Sequence, residues 1–160
     1  MGGIFISYRG DDSDTAAALI DRELTARFGH GQVFLDCRSI PVGADFAAEL
    51  LGRLRACRVL LVVMGPRWLT LVDEAGKRRI DNPEDWVRRE IAEAFAHGLR
   101  VIPVLLGGAM LPAADELPPE IAALCRRQYA VLRCRHTGVD LTDLARQIIE
   151  AEPELAAAHV

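Results

Sequence analysis

The sequence lacks a long apolar run and a basic stripe. Its apolar runs fall well short of the roughly 20 residues that a membrane-spanning helix needs. The first residues, MGGIFISYRG, lack the charged start and the long apolar stretch of a secretory signal. The net charge is −4 and the arginines are scattered among acids, so no surface for a phosphate backbone is indicated. We expect a cytoplasmic protein that binds neither a membrane nor a nucleic acid.

Cysteines and histidines in metal-binding order are also missing. The 4 cysteines show no CxxC spacing and no neighbouring histidine, which indicates reduced thiols rather than a zinc site or a disulfide framework. The 4 histidines are scattered along the chain. The sequence therefore predicts no metal site.

The common nucleotide-binding and hydrolase motifs are absent as well. There is no GxxxxGK[ST] loop, no GxGxxG after the first apolar run and no GxSxG elbow. Asp11 and Asp12 are similar to the acidic pair of a phospho-receiver domain. Such a domain also needs an aspartate where Met64 stands and a lysine after its fifth strand, and the only lysine here is Lys77. These features disfavour a P-loop protein, a dinucleotide-binding protein, a serine hydrolase and a receiver.

Short apolar runs alternate with helical patterns along the chain. The runs are continuous rather than alternating, as in strands that are covered on both faces of a parallel sheet. They span 3–7, 32–36, 58–64, 100–106 and 129–132. The alternation predicts a flavodoxin-like, doubly wound α/β sandwich with a five-stranded parallel sheet. At 160 residues the chain fits one domain, which we place at 1–152, with 153–160 as a linker or disordered C-terminal tail.

Apolar spacing also predicts which helix residues face the core. A first helix from Thr15 to Phe28 follows Ser13 as its cap and ends at Gly29, and a second spans Asp45 to Arg55. The expected core residues of these two helices are Leu19, Ile20, Leu24 and Phe28, then Phe46, Leu50, Leu51 and Leu54. Shorter patterns predict helices at 117–124 and at 141–150.

The stretch DNPEDWVRREIAEAF, residues 81–95, is the best-specified helix of the sequence. Asn82 suits the N-cap, Pro83 the first helical position and Gly98 the end of the helix. Trp86 and Glu90 are four residues apart and share a face beside the core stripe. In a doubly wound sheet this helix begins at the carboxyl ends of the strands, where ligands bind. Spacing alone leaves two interpretations: a working site, or a boundary tryptophan beside a solvated acid that pairs with Arg89 or another arginine.

Four motifs together resemble the TIR (Toll/interleukin-1 receptor) domain family, in particular its bacterial, NAD-cleaving type. They are FISYRGDDS (5–13), VFLDCRSIPVGADF (33–46), DWVRREI (85–91) and VIPVLL (101–106), in family order over about residues 3–150. The third looks like the helix in which the family carries a WxxxE motif. Two departures are the glycine at Gly10, where relatives often have a second basic residue, and Val87, where the plant pattern has a cysteine.

This resemblance implies an NAD+ glycohydrolase that gives nicotinamide and ADP-ribose or a cyclic isomer. Glu90 would be the catalytic residue, and NAD+ would be the substrate, with no cofactor and no metal. The residues implied to bind the substrate are Tyr8, Arg9, Asp36, Gly43, Phe46 and Trp86. Arg9 would contact the pyrophosphate, and Trp86 would offer a flat surface to the nicotinamide ribose or the dinucleotide.

The resemblance also implies assembly. The family's BB loop, here Cys37 to Phe46, would mediate self-association or contact with other TIR domains, and assembly would activate the enzyme. We expect the domain to be the N-terminal part of a longer protein of bacterial immune or antiphage signalling. Two alternatives stay open: a non-enzymatic TIR adaptor, and an enzyme similar to the nucleoside deoxyribosyltransferases that acts on free nucleosides.

Overall fold

The computed structural model describes the backbone of residues 3–35 and 42–157, with side chains as far as 155. Within these ranges, five parallel strands form a sheet in the order β2-β1-β3-β4-β5. The strands are β1 (Ile4–Ser7), β2 (Val33–Leu35), β3 (Val59–Met64), β4 (Arg100–Leu106) and β5 (Ala130–Leu132). Each strand lies within its predicted apolar run, and the predicted fold class is confirmed.

The helices cover both faces of this sheet. They are α1 (Gly10–Phe28), α2 (Phe46–Arg55), α3 (Trp86–Ala96), α4 (Thr137–Ala151) and the short α5 (Pro153–Ala157). Short 3-10 segments lie at Arg79–Asp81, Ala114–Glu116, Pro119–Arg126 and Cys134–His136. The predicted helix at 117–124 is therefore a 3-10 segment, and the predicted helix at 141–150 begins four residues earlier, at Thr137.

Two apolar cores separate the helices from the sheet. Leu50 of α2 and Ile91 of α3 belong to one core, and Ile20 of α1 and Leu144 of α4 belong to the other. All four side chains are almost completely buried. Every residue of β1 and β3 is buried between these layers, as expected for strands that face a core on both sides.

The first helix differs from its prediction at its start and in its buried stripe. It begins at Gly10, and Ser13, the predicted cap, has non-helical angles of φ −149° and ψ 25° that separate an extra first turn from the main helix. Ala17 joins the predicted Ile20, Leu24 and Phe28 in the core, whereas Leu19 is 40% exposed. The helix ends at Phe28, before Gly29, as predicted.

The third helix begins later than the sequence predicts. Its N-cap is Asp85, whose carboxylate accepts the Arg88 N–H at 3.0 Å, and not Asn82. Asn82 instead accepts the Glu84 N–H at 2.9 Å, which closes a separate turn around Pro83. The later cap prevails because a second partner, Arg9, also holds the Asp85 carboxylate. At the other end, Gly98 has a φ of 72°, in agreement with the predicted stop.

The segment after α4 is partly helical. Residues 153–160 were expected to be a linker or a disordered tail, yet Pro153–Ala157 forms α5 and Leu155 is only 1% exposed. Leu155 packs in the same core as α1 and α4. The domain boundary at residue 152 stays a prediction, but this part of the tail packs on the domain.

Candidate active site

Glu90 is buried at the carboxyl ends of the strands, which we call the carboxyl edge. Its side chain is 2% exposed, and its Oε1 accepts a hydrogen bond from the Ser7 hydroxyl at 2.8 Å. Ser7 is the last residue of β1 and is itself 0% exposed. A solvated boundary acid is therefore the wrong interpretation of Glu90. Its carboxylate is enclosed and oriented.

The alternation of side chains along β1 explains why Ser7 meets Glu90. Phe5 packs in the core formed by α2 and α3, while Ile4 and Ile6 pack in the opposite core. Two residues after Phe5, Ser7 returns to the α3 face of the sheet. Ser7 was expected to be a turn or cap residue and was not among the predicted site residues, although its position two residues after Phe5 was a readable signal.

Trp86 lies one helical turn before Glu90 and contacts two other side chains. Its ring meets the Phe46 ring edge-on, with the centroids 5.0 Å apart. The Arg89 guanidinium lies over the Trp86 ring, 4.4 Å from its centroid. Trp86 and Arg89 are partly exposed and Phe46 is 40% exposed. The structure thus brings together Trp86 and Phe46, two of the predicted binding residues, and adds Arg89 as a cation at the same place.

The segment that leads to Phe46 is described only from residue 42. Gly43 has a φ of 88°, a backbone conformation that glycine adopts without strain. Val42 is fully exposed, and Asp45 caps α2 by accepting the Ala48 N–H at 3.2 Å. Asp36 and Cys37 lie outside the described residues, so their predicted roles stay predictions.

Arg9, the residue predicted to contact pyrophosphate, is buried and paired with Asp85 in the structure. Its two terminal nitrogens donate to the two Asp85 carboxylate oxygens at 2.9 Å each. The Arg9 guanidinium also lies 5.5 Å from the centroid of the buried Trp68 ring, and the residue is only 4% exposed. Arg9 therefore fixes the start of α3 through Asp85, and both of its terminal nitrogens donate to that carboxylate.

Tyr8 is the predicted binding residue that packs on the other side of the sheet. It is partly buried against the core formed by α1 and α4. This follows from the same alternation that places Ser7 toward α3. The structure does not gather Tyr8 with Trp86 and Phe46.

Acidic residues at the start of α1 hold the long segment 65–85 over the carboxyl edge. Asp11 forms an ion pair with Arg79 at 2.7 Å, and Asp12 accepts the Arg67 N–H at 3.2 Å. A Cβ added at Gly65 would lie 2.4 Å from the Asp12 carboxylate, so only glycine leaves room for that contact. Asp11 and Asp12 thus position a loop instead of forming an open acidic pair.

A large cavity lies elsewhere, at the amino ends of the strands. It has a volume of about 920 Å³ and we call it the arginine cavity, after its lining residues Arg58, Arg100, Arg126 and Arg127. The acid in its lining, Glu152, is paired with Arg58 and Arg100. A second cavity, of about 320 Å³, lies at the carboxyl edge on the α1 side and includes Asp12 and Cys134. Neither cavity contains Glu90 or Trp86, so we place the candidate site by its side-chain chemistry.

Two carboxylates near the carboxyl edge have altered acidity. A hydrogen bond from the Arg78 side chain holds the pKa of Asp81 below its usual value. Hydrogen bonds from the Arg133 side chain, and then from its backbone N–H, hold the pKa of Asp140 below its usual value. Both acids are thus kept ionised by structural pairing, Asp81 before α3 and Asp140 in the first turn of α4.

Clusters of metal-ligating side chains and membrane-spanning helices are both absent from the described part of the chain. It contains no group of three or more His, Cys, Asp or Glu side chains placed to hold a metal ion. No helix in the described ranges is both long enough and apolar enough to cross a membrane.

The chain matches one family model and is similar to two named relatives. The family model described as "TIR domain" matches residues 4–148. The chain is 31% identical over 125 residues to the NAD(+) hydrolase tir-1 of Caenorhabditis elegans, and 27% identical over 123 residues to the NAD(+) hydrolase sarm1 of Drosophila melanogaster. These alignments cover 77% and 76% of this chain but only 12% and 8% of the two relatives.

A solved structure shares the fold. The TIR domains of the activated Roq1 resistosome directly recognizing the pathogen effector XopQ superpose with a TM-score of 0.63 at 15% identity. The match covers 94% of this chain and 99% of that chain. At this identity the likeness concerns the fold.

Proposed function

This chain belongs to the TIR domain family, and on that premise we propose that it is an NAD+ glycohydrolase that cleaves the bond between nicotinamide and ribose. The observation that carries the proposal is the buried Glu90 carboxylate, oriented by Ser7 and one helical turn from Trp86. The similarity to two proteins named NAD(+) hydrolases supports it.

The reaction needs few protein groups. Nicotinamide in NAD+ is a cationic leaving group, so when its bond to the ribose carbon breaks, the electron pair goes to the ring nitrogen and neutral nicotinamide departs without a general acid. The ribose then carries positive charge, as in the oxocarbenium-like transition state of glycoside hydrolysis. The Glu90 carboxylate stabilises that charge, most effectively where water is excluded. Attack by water releases ADP-ribose and a proton, and attack by an adenine nitrogen gives a cyclic isomer.

The group around Trp86 supplies the binding surface in this proposal. The Trp86 ring offers an apolar face to the ribose or the dinucleotide, and Phe46 holds that ring from α2. Arg89 is partly exposed and lies over Trp86, so it is better placed than Arg9 to meet the pyrophosphate. The family resemblance implies that Asp36 and Gly43 would also contact the substrate.

Access to Glu90 supports activation by assembly. At 2% exposure the carboxylate cannot touch NAD+ unless neighbouring side chains move. We propose that self-association through the BB loop, Cys37 to Phe46, moves them. The exposure of Val42 and Phe46 provides apolar contacts for such an interface.

The wider role follows from the family. We propose that the domain acts in the cytoplasm in bacterial immune or antiphage signalling, consuming NAD+ as a substrate and requiring no other cofactor. The same exposed residues would also suit a non-enzymatic TIR adaptor that only recruits other TIR domains. A buried, hydrogen-bonded acid favours the enzyme, because an adaptor interface gains nothing from a charge enclosed beneath it.

The test is nicotinamide release by the purified chain, clustered on a surface at high density. The wild-type chain should release nicotinamide together with ADP-ribose or its cyclic isomer. Glu90→Gln should lower the rate by at least about 100-fold while the circular dichroism spectrum stays unchanged. Glu93→Gln is the matched control, since Glu93 lies on the same helix but pairs with Arg55 and His97 at the surface.

The two functions separate in this assay. A folded, clustered wild-type chain that releases no nicotinamide would favour the adaptor. Normal turnover by folded Glu90→Gln would remove Glu90 from the mechanism.

A further inference from the structure

We infer that Ser7 is a positioning residue for Glu90. The Ser7 hydroxyl fixes the catalytic Glu90 carboxylate and favours the ionised form of that carboxylate. The inference rests on the proposed function, because it assigns a role within the same reaction. It adds a residue that neither the WxxxE pattern nor the predicted binding residues include.

The burial of Ser7 requires a partner for its hydroxyl. Ser7 is 0% exposed, at the end of a strand whose other three residues are apolar. A buried hydroxyl without a hydrogen bond is destabilising, and an alanine here would avoid that cost. The hydroxyl donates to Glu90 Oε1 at 2.8 Å, across 83 residues of sequence. The polar group is therefore matched to this one carboxylate.

The strand and the helix that carry this bond are both rigid. Ser7 pairs with Val62 in the sheet, and α3 is anchored at its start by Asp85 and Arg9. A glutamate side chain has three rotatable bonds, and a fixed donor on one carboxylate oxygen selects among its rotamers. Charge stabilisation of the ribose depends on that placement, because a small misplacement of a catalytic group lowers the rate markedly.

The bond also affects the charge of Glu90. A hydroxyl that donates to a carboxylate favours the ionised form, so its removal should make activity fail at a higher pH on the acidic side. Other charged groups lie on α3 and on the elements packed against it: Arg88, Arg89 and Glu93 of α3, Glu49, Arg53 and Arg55 of α2, Arg100 of β4, and Glu120 and Arg126 of the 3-10 segment Pro119–Arg126. Tyr8, Arg9 and Asp85 lie at the ends of β1, α1 and α3. All of them are unchanged between the wild type and a Ser7 variant, so the comparison isolates the hydroxyl.

The experiment compares pH profiles of nicotinamide release for clustered wild type and Ser7→Ala. We expect kcat to fall about 10- to 100-fold with KM changed less than about threefold, because a hydrogen bond to a charged group is lost and substrate contacts are kept. We also expect the acidic limb of the profile to move up by about one pH unit. Ser7→Thr keeps a hydroxyl and should restore most of the rate and the wild-type limb.

Ser13→Ala is the matched control. Ser13 is a second buried serine, at 4% exposure, but its hydroxyl faces only the backbone carbonyls of Arg9 and Val63 at 3.5 Å. Its removal should leave both kcat and the acidic limb as in the wild type. If Ser7→Ala does not fold, Ser7→Cys replaces it, since a thiol is similar in size and a weaker donor.

The failure of this inference is distinct from the failure of the proposed function. An inactive wild-type chain would contradict the glycohydrolase itself. An active wild type whose folded Ser7→Ala or Ser7→Cys variant keeps its kcat and its acidic limb would overturn the role of Ser7 and leave the enzyme intact. A loss in Ser7→Ala with an unmoved acidic limb, not restored by Ser7→Thr, would show a packing effect and would also overturn it.

Discussion

At the amino ends of its strands the sheet borders a cavity of about 920 Å³, whereas at the carboxyl ends the Glu90 carboxylate is enclosed against Ser7. The charges differ as well. The side chains of Arg58 and Arg100, in the arginine cavity, are 40% and 50% exposed and pair with Glu154 and Glu152, whereas the Arg9 side chain is 3% exposed and holds Asp85 with two bonds. Cavity volume alone would have selected the amino ends. Burial and pairing of a reactive group select the carboxyl edge.

Exposed and buried ion pairs have different effects in this molecule. An exposed pair contributes little because water already solvates both charges. A buried pair fixes its partners, since breaking it leaves a charge without compensation. At the carboxyl edge that rigidity is transmitted to α3, the helix that carries Trp86 and Glu90.

The Arg9–Asp85 pair and the Arg100–Glu152 pair should differ most clearly in how much each contributes to the free energy of unfolding. Arg9→Met should lower the free energy of unfolding by about 3–5 kcal/mol, because it leaves the Asp85 carboxylate, whose side chain is only 11% exposed, without its cation. Arg100→Met should lower it by about 0–1 kcal/mol, because Arg100 pairs with Glu152 at the surface. Urea denaturation of the two variants measures both values.

A double variant tests whether the uncompensated Asp85 charge causes the loss of stability. Arg9→Met with Asp85→Asn should recover part of the loss, because the uncompensated charge is gone while the asparagine can still cap α3. Equal losses for Arg9→Met and Arg100→Met would mean that the two edges do not differ in this way.

The next effect compares an aromatic residue at each edge. Trp86→Ala removes the contacts with Phe46 and Arg89 and should cost about 1–2.5 kcal/mol of stability. It should also raise the KM for NAD+ in the clustered assay. Tyr129→Ala alters a residue of the arginine cavity that is 45% exposed and should change stability by less than about 0.5 kcal/mol. A higher KM for Tyr129→Ala than for Trp86→Ala would point to the amino ends as the substrate site.

A smaller effect depends on pH. Because hydrogen bonds from Arg133 hold the pKa of Asp140 below its usual value, the pair contributes stability above about pH 4, where the unfolded aspartate is also ionised. This contribution is lost as the pH falls below that value through the folded-state pKa. Wild type should therefore exceed Asp140→Asn in stability at pH 7, and the gap should narrow below about pH 4. A gap that stays constant from pH 7 to pH 2 would contradict the pairing.

Apolar patterns were sufficient to predict the sheet. Continuous runs gave all five described strands, because strands buried on both faces carry no polar alternation that could be mistaken for a helix. Helix starts were harder, since Asn82 and Asp85 are both good caps and the choice depends on Arg9, which lies 76 residues from Asp85 in sequence. The sequence contains no local sign of that contact.

Only part of the site could be predicted, because some of its features are local in sequence and others depend on the fold. The spacing of Trp86 and Glu90 is local, and the structure places both at the carboxyl edge. The roles of Ser7 and Arg9 depend on which strand lies beside which helix. The alternation along β1 decides that Ser7 faces α3 while Tyr8 faces away, and the prediction treated Tyr8 and Arg9 by motif alone.

The reactivity of Cys57 reports whether the wall of the arginine cavity opens in solution. Cys57 lines the arginine cavity, but burial raises the pKa of its thiol to about 12, and the thiol donates to the Arg53 carbonyl at 3.2 Å. Only the thiolate reacts with alkylating reagents, so the raised pKa keeps Cys57 in its unreactive thiol form at pH 8. Cys134, at the carboxyl edge, is exposed.

With iodoacetamide at pH 8 and peptide mapping by mass spectrometry, Cys134 should be modified in the native protein and Cys57 only after urea is added. Modification of Cys134 should leave the circular dichroism spectrum of the native protein unchanged. Native modification of Cys57 at a rate near that of Cys134 would mean that the cavity wall opens, because the thiol must leave its buried position before it ionises. The amino ends would then be a dynamic region, and the contrast with the fixed carboxyl edge would be one of motion as well as of charge.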